Sequence, residues 1–156
     1  PVMMAHCALS SQHIQKYAND LPFIYTGDFN VKPHTPEYKL LTEGKIDSSD
    51  PAYPTPVAGD DWKPDLAIPM KSAYAVKEGK EPNFTNYAKV QENPVFIDTL
   101  DYFFYSEKGL KVEDVLPLPH RDTVPGPLPN DEEPSDHIML AATFAFDNNN
   151  GPSSEE

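Results

Sequence analysis

A layered α/β sandwich with two mostly antiparallel sheets is the fold class this sequence predicts. Two observations carry it. Helical periodicity is confined to two segments, whereas about five short runs rich in aromatic and β-branched residues are bounded by proline and glycine. Several of those runs follow one another too closely for the dozen or more residues that a parallel crossover needs, which argues against a doubly wound parallel sheet.

From Val2 to Tyr17, Met3, Ala5, Leu9, His13, Ile14 and Tyr17 recur at about helical intervals, and Asn19 and Asp20 end the run. His6 and His13 read as helix-face residues. Pro22-Phe23-Ile24-Tyr25-Thr26 reads as a buried strand that delivers Asp28 and Asn30 to its C-terminal mouth. Thr35-Pro36-Glu37 has the chemistry of a helix start, with a capping hydroxyl, a proline and an acid in the first turn, and Gly44 stops that helix. Asp47 to Pro69 is rich in proline, aspartate and glycine and is expected to be a surface excursion on the substrate side. Strands are expected over Asn83 to Ala88, Ile97 to Ser106, Leu110 to Leu116 and Ile138 to Phe146, the second being the most central in character. Pro117 to Pro134 reads as loop, and 147–156 as a polar tail without order.

The 156 residues suit one domain, assigned here to 1–146. Twelve basic against twenty-five acidic side chains leave a formal net charge of -13, which excludes broad electrostatic capture of duplex nucleic acid. A phosphate substrate stays compatible with that charge if a divalent cation supplies the local positive field. The single cysteine, Cys7, forms no internal disulfide and reads as a small packing residue. No apolar run reaches the roughly 18 residues of a membrane span and no leader pattern opens the chain, so the expectation is a cytoplasmic protein with no membrane contact. The chain begins at Pro1 and directly enters a helix, which suggests a fragment.

Two short motifs carry chemistry. In Gly27-Asp28-Phe29-Asn30, alternation on an extended chain would put the Asp28 carboxylate and the Asn30 carboxamide on one side. The first can orient or deprotonate water, and the second can donate to a phosphoryl oxygen as charge develops. The same residues also read as an Asx-rich turn after a strand. Ser135-Asp136-His137 sets an acid beside an imidazole at another strand mouth, and a bend at Pro134 is needed for both to face one ligand. A histidine in such a role needs a carboxylate to fix its tautomer. Asp101, an acid inside an apolar strand, is the best candidate and Asp98 its competitor.

The order of Gly27-Asp28-Phe29-Asn30, Thr99-Leu100-Asp101-Tyr102-Phe103-Phe104-Tyr105-Ser106 and Pro134-Ser135-Asp136-His137, followed by an apolar strand, resembles the endonuclease/exonuclease/phosphatase superfamily. With Phe84-Thr85-Asn86-Tyr87 upstream of Asp101, it looks most like the carbon-catabolite-repressor-4, Angel and nocturnin type deadenylases. The resemblance implies the C-terminal part of the sandwich and magnesium-dependent, or manganese-dependent, phosphodiester hydrolysis at an RNA 3′ end such as poly(A), releasing nucleoside monophosphates. It also implies roles: Asp28 to activate water and hold metal, Asn30 and His137 to contact the phosphate, Asp101 to pair with His137, Asp136 to assist metal binding, and Asn86 and Phe96 to contact adenine. Phe96 reads more readily as ordinary strand core. The family's upstream metal-binding asparagine and glutamate are not in these 156 residues, so the N-terminal half of the same domain is an expected partner. Two alternatives are a phosphatase or phosphodiesterase acting on a small nucleotide or lipid phosphate, and an inactive scaffold.

Overall fold

The structure, a computed structural model, describes residues 2–55 and 57–147, so all but the first residue of the expected polar tail lies outside it. Helix α1 spans Val2–Ala18 and strand β1 Ile24–Asp28; α2 spans Pro36–Glu43, β2 Met70–Ser72 and α3 Ala73–Glu78. Strands β3 (Asn86–Ala88), β4 (Phe96–Asp98), β5 (Asp101–Ser106), β6 (Leu110–Val115) and β7 (Ala142–Phe146) follow, with a 3₁₀ turn at Arg121–Thr123. They form one three-stranded sheet in the order β1-β5-β2 and two two-stranded pairs, β3-β4 and β6-β7. Among the described residues the strand ladders are antiparallel, and of the paired strands β3 and β4 alone are joined by a short connection. Among the described residues no helix is long and apolar enough to cross a membrane.

Strand β5 sits at the middle of the layers. Tyr102 and Phe104 on one face are almost wholly buried against Met4, Cys7 and Ala8 of α1 and Leu40 and Leu41 of α2. Tyr105 and Phe103 on the other face pack with Tyr74 of α3, Val112 and Val115 of β6, and Phe144 of β7. Burying such a large apolar side chain contributes about 1.5–3 kcal/mol, so β5 is the spine of both layers. Cys7 lies inside this core, and burial pushes its thiol up to about 11.

Local chemistry sets the helix ends. Thr35 Oγ1 accepts from Tyr38 N–H, and Gly44 turns left-handed at φ 82° while its N–H donates to Leu40 O at 2.8 Å. The long excursion after Gly44 is tied down by two glutamines of α1. Gln12 donates to Lys63 O and Asp65 O and accepts from Trp62 Nε1, while Gln15 exchanges two hydrogen bonds with the Ile68 backbone.

Three expectations need correction. The expected strand from Ile97 to Ser106 is two strands in different sheets, β4 and β5. At the break, Thr99 N–H donates to Asp98 Oδ1 and Leu100 N–H to Thr85 Oγ1, so side chains satisfy backbone donors that a ladder would otherwise use. The expected strand from Ile138 to Phe146 has its ladder only from Ala142, and that over Asn83 to Ala88 only from Asn86. Instead, 136–138 runs beside 85–87, joined by Tyr87 N–H to Asp136 O at 2.9 Å and Ile138 N–H to Thr85 O at 2.8 Å. Elements β2 and α3 were not expected, because three and six residues are too few to show a period.

Candidate active site

β1 and β5 deliver two carboxylates to one place, since Asp28 and Asp101 are direct cross-strand partners at the end of their ladder. Like charges opposite each other on adjacent strands repel, so this pairing calls for a cation nearby. His137 supplies it. Its Nδ1 lies 2.8 Å from Asp101 Oδ2, and its Nε2 lies 4.0 Å from Asp28 Oδ2. Burial disfavours the charged ring, but the hydrogen bond and charge of Asp101, then the charges of Asp28 and Asp136, outweigh it and raise the His137 pKa above its ordinary value.

The Asp28 corner is a turn. Asn30 adopts φ 51°, its N–H donates to Asp28 Oδ1 at 2.8 Å, and its Nδ2 lies 3.3 Å from Asp28 Oδ2. This corrects the expectation of an extended chain through Asn30: carboxylate and carboxamide meet through an Asx turn, not through strand alternation. Its flanks are anchored on both sides. The Phe29 ring packs edge-on against Tyr25 at 4.7 Å and Phe104 at 5.0 Å, and buried Tyr102 donates its hydroxyl to Val31 O at 2.7 Å.

The bend expected before Asp136 is present, because 134–136 follow no ladder. His137 N–H donates to Ser135 Oγ at 3.0 Å. Asn86 is only 4% exposed and directs its Nδ2 at Asp136, 3.2 Å from the carbonyl and 3.3 Å from Oδ2. Asp98, the alternative partner for the histidine, is instead 3.0 Å from Lys32 Nζ. That ammonium also lies 4.8 Å from the centre of the half-buried Phe96 ring.

The sequence-derived residues therefore divide into three groups. Asp28, Asn30, Asp101 and His137 converge, Asp136 and Asn86 adjoin them as a hydrogen-bonded pair, and Phe96 stands on β4, where it pairs with Ala88 two positions along from Asn86. One further residue, Thr85, escaped the sequence reading although it donates to Asp101 Oδ2 at 2.6 Å. The acid-histidine cluster adjoins a cleft of about 700 Å³ between α1 and β1, lined by Met3, His6, Tyr25, Asp28 and Asn30 among others.

Asp28, Asp101 and His137 each offer a ligand atom within 4.8 Å of one another, a candidate site for a metal ion. The carboxylate oxygens suit a hard divalent cation such as magnesium. The imidazole fits less well, since its Nδ1 is engaged by Asp101. The donor set thus accommodates a cation on the Asp28 side of the cluster.

The chain is 34% identical over 136 residues to the CCR4-Not complex 3′-5′-exoribonuclease subunit Ccr4 of Aspergillus clavatus, covering 85% of this chain and 20% of that protein. It is 37% identical over 124 residues to carbon catabolite repressor protein 4 homolog 4 of Arabidopsis thaliana, covering 78% of this chain and 26% of that one. It thus spans about a fifth to a quarter of the length of these relatives. Among solved structures, the human Nocturnin catalytic domain with bound sulfate is similar at a TM-score of 0.60 and 24% identity, over 94% of this chain and 42% of that one. ANGEL2, described as a 2′,3′-cyclic phosphatase and solved with adenosine-2′,3′-vanadate, is similar at 0.69 and 22%, over 92% and 51%. At these identities the two structures speak for the fold alone, and they agree with the layered α/β arrangement. The profile of the Endonuclease/Exonuclease/phosphatase family matches residues 12–137, a span that contains every residue of the acid-histidine cluster, and the chain belongs to that family.

Proposed function

We propose that residues 1–146 form the C-terminal part of a divalent-cation-dependent phosphodiesterase that removes nucleotides from RNA 3′ ends, poly(A) among them, as nucleoside monophosphates. The observation that carries this reading is His137 held between two carboxylates, 2.8 Å from Asp101 and 4.0 Å from Asp28, in a chain of this family. The name of the Aspergillus clavatus relative, a 3′-5′-exoribonuclease subunit, supports the substrate class.

Asp28, exposed at its corner, orients the attacking water and accepts its proton. Asn30 turns its amide to a phosphate oxygen once a substrate replaces its contact with Asp28. His137, whose protonated form Asp101 favours, faces the charge that develops on the phosphate. Asp28 would hold a magnesium or manganese ion, with Asp136 assisting and further ligands from the upstream half of the domain. When bound, the ion neutralises phosphate charge and lowers the pKa of water. Asn86, buried with its amide turned to Asp136, is read as holding the Asp136 segment in place, which leaves the base contact to Phe96. Stacking of a base on such a ring is worth about 1–3 kcal/mol.

The test uses the full-length protein. It releases AMP from oligo(A) with magnesium and not with chelator, and Asp28→Ala lowers that turnover by at least about 10²-fold. Undiminished turnover by Asp28→Ala overturns the assignment. A second reading, hydrolysis of a small phosphorylated molecule, is favoured by the net charge of -13. Turnover of a cyclic nucleotide or a dinucleotide in preference to oligo(A) selects it. An inactive scaffold would turn over neither, and the convergence of Asp28, Asn30, Asp101 and His137 argues against that outcome.

A further inference from the structure

Thr85 is fully buried, and its side chain is committed entirely to the neighbourhood of Asp101. The N–H groups of Leu100 and Asp101 both point at Thr85 Oγ1, at 2.8 and 3.0 Å. A hydroxyl has two lone pairs and one proton, so these two donors leave it a single remaining function, which is to donate. The acceptor is Asp101 Oδ2 at 2.6 Å, the same oxygen that lies 2.8 Å from His137 Nδ1. An oxygen already accepting from Thr85 is an acceptor toward the ring as well, so the proton between them resides on Nδ1. Nε2 is then the nitrogen left facing Asp28 at 4.0 Å.

The backbone of Thr85 adds a second hold. Its carbonyl accepts from Ile138 N–H at 2.8 Å, one residue beyond His137, and its N–H donates to Asp98 O at 3.0 Å. One buried residue therefore grips the acid with its side chain and the histidine's own chain segment with its carbonyl. We infer that Thr85 is the positioning residue of the Asp101–His137 pair: it fixes the carboxylate as an acceptor and the imidazole as the Nδ1–H form, and it sets the spacing between them. This rests on the reading of His137 and Asp28 as reacting groups.

In the full-length protein, on the substrate that the wild type turns over, Thr85→Val removes the hydroxyl from a nearly unchanged shape. It lowers kcat by about 10–100-fold, the usual scale for a group that orients a reacting one, and leaves KM within about twofold. Thr85→Ser, which keeps the hydroxyl, restores kcat to near wild type. In an Asp101→Asn background, Thr85→Val adds little further loss, because the carboxylate it serves is gone. If Thr85→Val does not fold, Thr85→Cys, with a weak thiol donor in nearly the same place, takes its role with the same expected loss. Wild-type kcat in the variant that lacks the hydroxyl, equal losses for Val and Ser, or a full multiplicative loss in the Asp101→Asn background overturns the inference. If His137→Ala and Asp28→Ala leave turnover intact, the assignment of the site itself fails; if both abolish it while Thr85→Val does not, only the role of Thr85 fails.

Discussion

The Asp28–Asn30 corner and the Asp101–His137 pair face each other across 4.0 Å, yet they are built in opposite ways. The corner is exposed, and its polar contacts join residues two positions apart. The pair joins residues 36 positions apart, and Asp101 depends on a fully buried threonine on a third segment. An Asx turn is closed by residues adjacent in sequence, and it can exchange partners with water, a cation or a phosphate at little cost. A carboxylate that must fix an imidazole cannot be so loose, because a small misplacement of a reacting group costs rate steeply. The difference assigns exchange of ligands to the corner and constancy of geometry to the pair.

The largest expected effect tests the unity of the pair. His137→Ala and Asp101→Asn each lower single-turnover kcat by about 10³–10⁴-fold, and the double variant is no worse than either alone. A multiplied loss would mean that the two act independently and would erase the contrast. Next in size, Asp28→Ala lowers turnover by at least about 10²-fold while the urea midpoint stays nearly constant, since its contacts are local and solvated. A large fall in that midpoint would show the corner to be part of the buried framework.

A smaller effect separates turn from chemistry. Asn30→Ala places alanine at φ 51° and costs about 1 kcal/mol of stability, whereas Asn30→Gly costs almost none. Both lose the amide, so both lose turnover equally, measured beside thermal melts. The smallest effect concerns pH. His137 has a folded-state pKa above the ordinary 6.5, so its stabilisation is fully present below 6.5 and is lost as pH rises through the folded value. Urea midpoints of the wild type decline across that window, and Asp101→Asn flattens the decline by removing the partner that does most to raise the pKa.

Legibility in the sequence follows the same division. The corner could be recognised from Gly27 to Asn30 because the polar groups that turn it lie within that stretch. Asp101 could be nominated because an acid among Leu100, Tyr102, Phe103 and Phe104 needs a reason to be there. Thr85 could not. A threonine beside Phe84 in a short run looks like an ordinary strand former, and only its partners at Leu100 and Asp101 distinguish it. The break at Thr99 was equally hidden, since the aromatic and β-branched character runs unbroken across it while the donors that interrupt the ladder turn to Asp98 and Thr85.

By itself, then, the sequence determined what is local: two helices with their stops, the proline-bounded strand that leads to Asp28, the Asx chemistry that offers a turn after it, and the aromatic pattern that makes a central strand end at Ser106. Tertiary structure alone decided what depends on distant partners. It put Asp28 opposite Asp101, separated β4 from β5, ran the Asp136–His137 segment beside Asn86, and chose Asp101 over Asp98 as the histidine's partner by giving Asp98 to Lys32. The physical reason is the range of the forces involved: periodicity and turn chemistry act over a few residues, whereas a buried charge is satisfied by whichever group the packed layers bring to it.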